Sequence, residues 1–217
     1  MKFGRNKRSK QALTLVEVLI IICVLIILAA MFLPALAARK KGGHGSFCLN
    51  NLKQIGLAEK MWAGDNRDKF PFEVSVTNGG TMEMNDGRNA WINFLVMSNE
   101  LSTPRILICP ADTERPLPAA DFSSKIYGHV SYFVGFASAD YPQALLFGDD
   151  NFELIRVRVK SGWLELDTNA PISWTTNRHN KSGNLLLGDG SVQSTTTSGL
   201  RTCWQATGLA TNRLAIP

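Results

Sequence analysis

Between Leu13 and Ala38 the chain runs through 26 residues with one charge, Glu17, and Arg39, Lys40 and Lys41 close the run. At about 1.5 Å per residue such a helix reaches about 39 Å, more than the roughly 30 Å hydrocarbon core of a bilayer, so the pattern predicts a membrane-spanning helix over 13–38. Pro34 removes a backbone donor within it and predicts a bend or local melting near Ala30 to Pro34. Gly42-Gly43-His44-Gly45 then predicts a hinge, with His44 solvated. From Phe47 onward Cys48, Leu52, Ile55, Ala58, Met61 and Trp62 recur at three- and four-residue spacing, while Asn50, Asn51, Lys53, Gln54 and Lys60 fall on other faces. That is an amphipathic helix whose apolar stripe needs the following domain as a partner. Gly64 to Asp68 ends it, and Phe70-Pro71 forbids its continuation.

Beyond Phe70 turn residues dominate, at Asn78-Gly79-Gly80, Asn85-Asp86-Gly87, Gly135, Gly148-Asp149-Asp150, Gly162 and Gly188-Asp189-Gly190. Short apolar runs at 106–109, 130–134, 144–147, 154–159 and 185–187 read as strands of a small antiparallel sheet with long loops, and Trp91, Phe94 and Leu95 share a face of a helix over 90–97. Residues 194–198 read as a polar loop. The expected fold class is α+β: a long N-terminal helix, half transmembrane and half amphipathic, packed on a small antiparallel β-sheet domain. The expected division is a basic leader over 1–12, a membrane helix over 13–38, a hinge and amphipathic helix over 39–68, and a globular β-rich domain over 69–217.

Charge changes this picture only at the N-terminus. Five of the 23 basic residues, Lys2, Arg5, Lys7, Arg8 and Lys10, precede the apolar run with no acid among them, leaving 18 basic against 18 acidic residues in the remainder. A nucleic-acid module carries its excess on the folded domain, so the net charge of +5 argues for a cytoplasmic topology signal and against nucleic-acid binding. The four cysteines are too few for a disulfide scaffold. Cys23 lies in the apolar run. In an exported domain Cys48 and Cys109 are the pair to expect, with Cys203 left over; reduced, buried thiols are the alternative.

An acid at the centre of a membrane helix costs about 2.5–3.5 kcal/mol, and less near its end. Glu17 therefore calls for a counter-ion, or for snorkelling to the interface. Ala12-Leu13-Thr14-Leu15-Val16-Glu17, after a short basic leader and before an unbroken apolar helix, resembles the processing site of type IV prepilins and type II secretion pseudopilins. The resemblance implies that a prepilin peptidase/methyltransferase cuts between Ala12 and Leu13 and methylates the new amine of Leu13. It also makes Glu17 the family's acidic fifth residue and Pro34 its helix-bending proline. The Leu13 ammonium of an adjacent subunit would then neutralise Glu17. Ala12 stands where the family usually has Gly, and Leu13 where it often has Phe. Implied partners are copies of this chain or other pseudopilins, in a pilus-like filament at the inner membrane with the N-terminus cytoplasmic and the C-terminal domain extracytoplasmic.

Asp189-Gly190 between Leu185-Leu186-Leu187 and Val192 is a hairpin signal. With His179 ten residues earlier, it resembles a His, nine residues, Asp-Gly signature in prepilin-like proteins of planctomycete- and verrucomicrobia-type bacteria, making His179, Asp189 and Gly190 signature residues. The run from Cys48 to Leu57 and Cys109-Pro110-Ala111-Asp112 resemble other recurrent pieces of that group. His179, Asp189 and Asp149 or Asp150 have the residue types of a metal or acid–base site; the plainer reading is that His179 hydrogen-bonds a loop and Asp189 serves its own turn. Asp65, Asn66 and Asp68 match a calcium loop in composition only. No Ser/His/Asp elbow, Cys-x-x-Cys pair, phosphate loop or nucleotide fingerprint is present, so neither an enzyme nor a cofactor or metal is expected. Two rivals stand beside the pilin-like reading. One is a membrane-tethered module binding polysaccharide through Trp163, Trp174 and Tyr141; the other is a secreted hydrolase cut after Ala37, where Ala35-Leu36-Ala37 resembles a signal-peptide site.

Overall fold

The computed structural model describes residues 14–115, 117–123 and 126–217, and within its first helix the side chains outside 31–44. It is an α+β structure with antiparallel sheets. Two compact units make up the chain, residues 1–41 and 42–217. Helix α1 (Leu15–Asp65) carries residues of both.

In the first unit the side chains from 14 to 30 are exposed, apolar or not. Among the described residues no helix is long and apolar enough to cross a membrane. Residue 13 and the side chains of 31–38, which belong to the expected span, lie outside the described set. The backbone stays helical through Pro34 and through Gly42-Gly43-His44-Gly45, where local melting and a hinge were expected. A proline removes one hydrogen bond from a helix of 51 residues, and each glycine costs only about 1 kcal/mol relative to alanine.

The second unit is built around a six-stranded sheet. Its strands are β1 (Tyr132–Gly135), β2 (Leu145–Asp149), β5 (Gly162–Asp167), β7 (Ser182–Leu187), β8 (Val192–Thr196) and β9 (Thr211–Ile216), in the order β5-β9-β1-β2-β7-β8. Every neighbouring pair is antiparallel. A smaller antiparallel sheet joins β3 (Phe152–Leu154) to β4 (Val157–Arg158) and β6 (Ile172–Trp174). Four helical turns or more of α1, with α2 (Ala90–Val96) and α3 (Ser98–Leu101), bury one face of the large sheet: Cys48, Leu52, Ile55, Trp62, Phe94 and Met97 pack with Tyr132, Val134, Phe147 and Leu186. On the other face Phe133, Leu185, Leu187, Leu214 and Ile216 meet Phe152, Trp174 and, from α4 (Thr197–Gln205), Leu200 and Trp204. Because both faces are covered, β1 and β2 are buried at every position, and their apolar residues are consecutive instead of alternating.

The α1 stripe departs from its expected membership at two positions. Met61 is exposed, and Glu59 occupies the inward position between Ile55 and Trp62. Gly56 is also inward, where a Cβ would stand 2.8 Å from Leu186 Cδ1, so glycine sets how closely the helix approaches β7.

Several expected strands are redrawn. Residues 104–107 form a 3-10 helix, not a strand, with Pro104 in its first turn and the Thr103 hydroxyl accepting from the Arg105 N–H. Run 154–159 is split by a two-residue turn in which Ile155 and Arg156 both take positive φ, so Leu154 pairs with Val157. The polar stretch 194–198 ends β8 and starts α4, Thr196 accepting from the Gly199 N–H as the cap. Strands β5, β6 and β9 carry no strong run of their own; β9 is recruited by pairing with β5 and β1 together. The β7–β8 hairpin turns through Gly188-Asp189-Gly190: the Gly190 N–H donates to the Leu187 carbonyl, the Leu187 N–H to the Ser191 carbonyl, and Gly190 has φ +86°. This is a three-residue loop with a left-handed glycine, and Asp189 does not need positive φ.

Glu59 yields a stability prediction. It is fully buried, neither carboxylate oxygen has a hydrogen-bond partner, and burial, followed by the charge of Glu73, pushes its carboxyl well above the usual range. An acid that keeps its proton in the fold but releases it when unfolded lowers stability as pH rises above the ordinary carboxylate range. Glu59→Met should therefore raise stability at pH 7 by on the order of 1–3 kcal/mol, with the gain shrinking near pH 4, as read from urea denaturation at the two pH values.

Candidate functional site

Polar side chains converge where α1, the 107–115 segment, the start of β1, the end of β2 and the 175–181 loop meet. Cys48 of α1 forms a disulfide with Cys109, their Cα atoms 5.3 Å apart. One turn on, Asn51 Nδ2 donates to the Ile108 carbonyl at 3.1 Å and to the Tyr132 hydroxyl at 3.2 Å, holding the segment that carries Cys109. Burial, followed by the charge of Asp149, pushes the Tyr132 phenol well up. Cys109-Pro110-Ala111-Asp112 is a β-turn closed by the Asp112 N–H on the Cys109 carbonyl at 2.8 Å, with proline in the position that presets its φ.

The turn delivers Asp112 into a cluster of four charges, of which Asp112, Asp150 and Arg178 are buried and Arg115 is partly exposed. Its carboxylate accepts from the Ser131 hydroxyl at 2.7 Å, from Arg115 Nη1 at 3.1 Å and from the Glu114 and Arg115 N–H groups, and pairs with Arg178 Nη2 at 3.0 Å. Asp150, just past β2, meets Arg115 Nη1 at 2.8 Å and Arg178 Nη1 at 2.6 Å. Two acids and two guanidinium groups make the cluster formally neutral. Burial drives the Asp112 carboxyl up, but Arg178, the Ser131 hydroxyl and Arg115 outweigh it and hold the group below the usual carboxylate range. Asn151 Nδ2 reaches the carbonyls of Arg178 and Ser182, fixing the ends of the loop that bears Arg178.

The next residue in that loop, His179, brings its Nε2 to 3.2 Å from Cys109 Sγ and 3.7 Å from Asp149 Oδ2. Asp149 Oδ2 also accepts from the backbone N–H and Nδ2 of Asn184, at 2.8 and 2.9 Å. Burial pushes the Asp149 carboxyl up against the opposing pull of His179, Asn184 and Arg178. One oxygen or nitrogen or sulfur atom from each of Cys48, Cys109, Asp149 and His179 lies within 4.8 Å of the others. Among the described residues this is the one group of three or more metal-ligating side chains so gathered. Asp65, Asn66 and Asp68 form no such group.

The residues marked by sequence thus scatter. Ala12 and Leu13 lie outside the described residues, as does the side chain of Pro34. Glu17 is exposed and turns back on Thr14, its Oε2 accepting from the Thr14 N–H at 2.8 Å and hydroxyl at 2.7 Å, while the Glu17 N–H donates to Thr14 Oγ1. Thr14-x-x-Glu17 is a capping box, readable in the sequence but overlooked there. His179 and Asp189 do not share a site. Asp189 is exposed, accepts from the Ser191 N–H in its own turn, and its carbonyl takes a bond from Lys60 Nζ at 2.6 Å. Gly148-Asp149, expected in a turn with Asp150, is instead the buried end of β2, with Asp150 buried just past it. Arg115 and Arg178 carried no sequence signal, and Asp112 only as the end of the Cys109-Pro110-Ala111-Asp112 piece, because their pairing exists only once distant segments meet. Of the aromatic trio proposed for sugar stacking, Trp174 is buried against Phe152 at 4.9 Å, whereas Trp163 and Tyr141 remain partly exposed.

Comparison of the chain with protein families, with curated proteins and with solved structures finds no match.

Removing one member of a buried ion cluster strands the others. Arg178→Met should destabilise the second unit by about 3–5 kcal/mol, whereas Arg158→Met, which loses a half-exposed pair with Glu114, should cost no more than about 1 kcal/mol. Since Asp112 is held low, its contribution is present above the ordinary carboxylate range and vanishes as pH falls through the folded value; an acid titration of the two variants by circular dichroism should show a flatter profile for Arg178→Met.

Proposed function

We propose that this chain is a pilin-like subunit, cut by a prepilin peptidase between Ala12 and Leu13 and assembled through its N-terminal helix into a pilus-like filament, of the kind used by type II secretion-like systems. One observation carries the reading. The apolar side chains from Leu15 to Leu28 on α1 are all at least 43% exposed in the isolated chain, next to a processing-site pattern and a basic leader. Burying each such side chain is worth about 1.5–3 kcal/mol, so a surface of this kind demands lipid or neighbouring helices. The helix over 13–38 is the single membrane span, with the leader cytoplasmic and the domain over 69–217 extracytoplasmic. The Cys48–Cys109 bridge supports export, since such bonds persist in oxidising compartments.

Glu17 serves this assembly in two ways. It caps the helix start, and after cleavage it lies at the depth of the Leu13 ammonium of an adjacent subunit. The polysaccharide-binding alternative is weakened by the burial of Trp174.

Mass spectrometry of the protein extracted from its native membrane should find Leu13, N-methylated, as the first residue. A chain still carrying residues 1–12, or one beginning at Ala38, would refute the assignment. Glu17→Gln keeps the capping acceptor and removes the charge. It should leave the domain folded and membrane-bound yet cut filament incorporation at least about tenfold, as a coupling of about 1.4 kcal/mol requires; unchanged incorporation would reduce Glu17 to a helix cap.

A further inference from the structure

The Cys48–Cys109 bridge closes a loop of about sixty residues between α1 and the end of the 3-10 segment, and loop closure alone accounts for its stabilising effect. Nothing in that role requires an imidazole and a carboxylate at the sulfurs. Yet His179 Nε2 stands 3.2 Å from Cys109 Sγ, and Asp149 lies within 4.8 Å of both cysteines and the histidine. The four side chains come from α1, the 107–115 segment, β2 and the 175–181 loop, so no local sequence constraint gathers them.

The loop bearing the histidine is bent at a cost. His179, Asn180 and Lys181 take φ of 49°, 50° and 62°, three successive left-handed residues without a glycine. Each such residue costs about 1–2 kcal/mol, less for asparagine, and strain of this kind persists where surrounding structure over-determines it. Here Arg178 is locked into the ion cluster on one side. On the other, the Ser182 hydroxyl donates to the His179 carbonyl. Asp149 is likewise oriented, because Asn184 occupies Oδ2 twice, while Oδ1 is buried with no hydrogen-bond partner. An oriented carboxylate with a free buried oxygen, beside an imidazole and two sulfurs, is the donor set of a closed four-coordinate site.

We propose that Cys48, Cys109, His179 and Asp149 form a redox-gated binding site for a borderline-soft divalent cation, with Zn2+ as the best fit. In the oxidised protein the sulfurs are consumed in the S–S bond and the site is closed. A dithiol reductant opens it: two electrons pass to the bridge, the reductant is oxidised to its own disulfide, and two protein thiols result. Metal binding then displaces the two thiol protons to solvent, and the sulfurs part to about 3.8 Å, the edge of a tetrahedron with Zn–S bonds of about 2.3 Å. Two thiolates and a carboxylate leave the occupied site one charge negative, beside Arg178, whose field already acts on Asp149. The inference does not depend on filament assembly: it concerns how the second unit behaves before its bridge forms or after the bridge is reduced.

The test uses the full chain in detergent with Cys23→Ser and Cys203→Ser, which removes the two cysteines outside the bridge. Reduced protein, freed of reductant under anaerobic conditions, should take up one equivalent of Co2+ with thiolate-to-cobalt charge-transfer and tetrahedral d–d bands, and Zn2+ should abolish them. The oxidised protein should show neither. His179→Gln and Asp149→Asn, each checked in the oxidised form for an intact bridge and an unchanged near-ultraviolet spectrum, should weaken Zn2+ binding by more than the roughly 10–100-fold that outer-shell changes cost. Equal uptake by oxidised and reduced protein overturns the proposal. So does an affinity insensitive to His179, or a reduced protein that unfolds and is not restored by Zn2+. Should either variant fail to fold, the comparison of the oxidised and reduced parent decides alone.

Discussion

Pairing four charges, three of them buried, without leaving one uncompensated is the constraint on which the rest of the second unit turns. Asp112, Arg115, Asp150 and Arg178 balance one another only if the 107–115 segment, the 175–181 loop and the end of a central strand arrive together. Any register that misplaces one of them leaves a charge in a low-dielectric interior, at several kcal/mol. The cluster therefore selects among packings more than it adds stability. It also fixes the loop on which Arg178 and His179 are adjacent, and through that loop the position of the imidazole at the disulfide.

A second constraint acts on α1. Its C-terminal half presents an inward stripe in which Gly56 permits close approach to Leu186, Cys48 is tied covalently, and Asn51 satisfies the Ile108 carbonyl and Tyr132 hydroxyl at the same time. Packing, a covalent bond and side-chain-to-backbone hydrogen bonds thus hold one helical face. The residues from 14 to 30 follow different physics. Their apolar side chains are exposed, an arrangement that ordinarily marks a surface of association.

Much of the framework was legible in the sequence. The stripe Cys48, Leu52, Ile55, Ala58, Trp62 recurs at helical spacing and is buried, and the runs at 130–134, 144–147 and 185–187 fall on central strands. Misreadings arose where two patterns compete. Met61 and Glu59 both border the stripe, and hydrophobicity favoured the methionine, whereas the helix's angular position puts the acid inside. Run 106–109 is apolar because it is buried, not because it is extended, and Pro104 starts a 3-10 turn there. The 154–159 run hid a turn made from Ile155 and Arg156, residues that seldom take positive φ.

What the sequence determined by itself is whatever depends on neighbours a few positions away: the apolar segment, the helical stripe and the Asp-Gly hairpin. Such features follow from dihedral preference and periodicity, which act locally. The tertiary structure alone decided that Asp149 faces His179 and not solvent, and that Arg178 meets Asp112 and Asp150. The physical reason is that charge and metal-ligand chemistry act through space over a few ångströms. Residues that far apart along the chain acquire a common environment only after the sheet has brought their segments together.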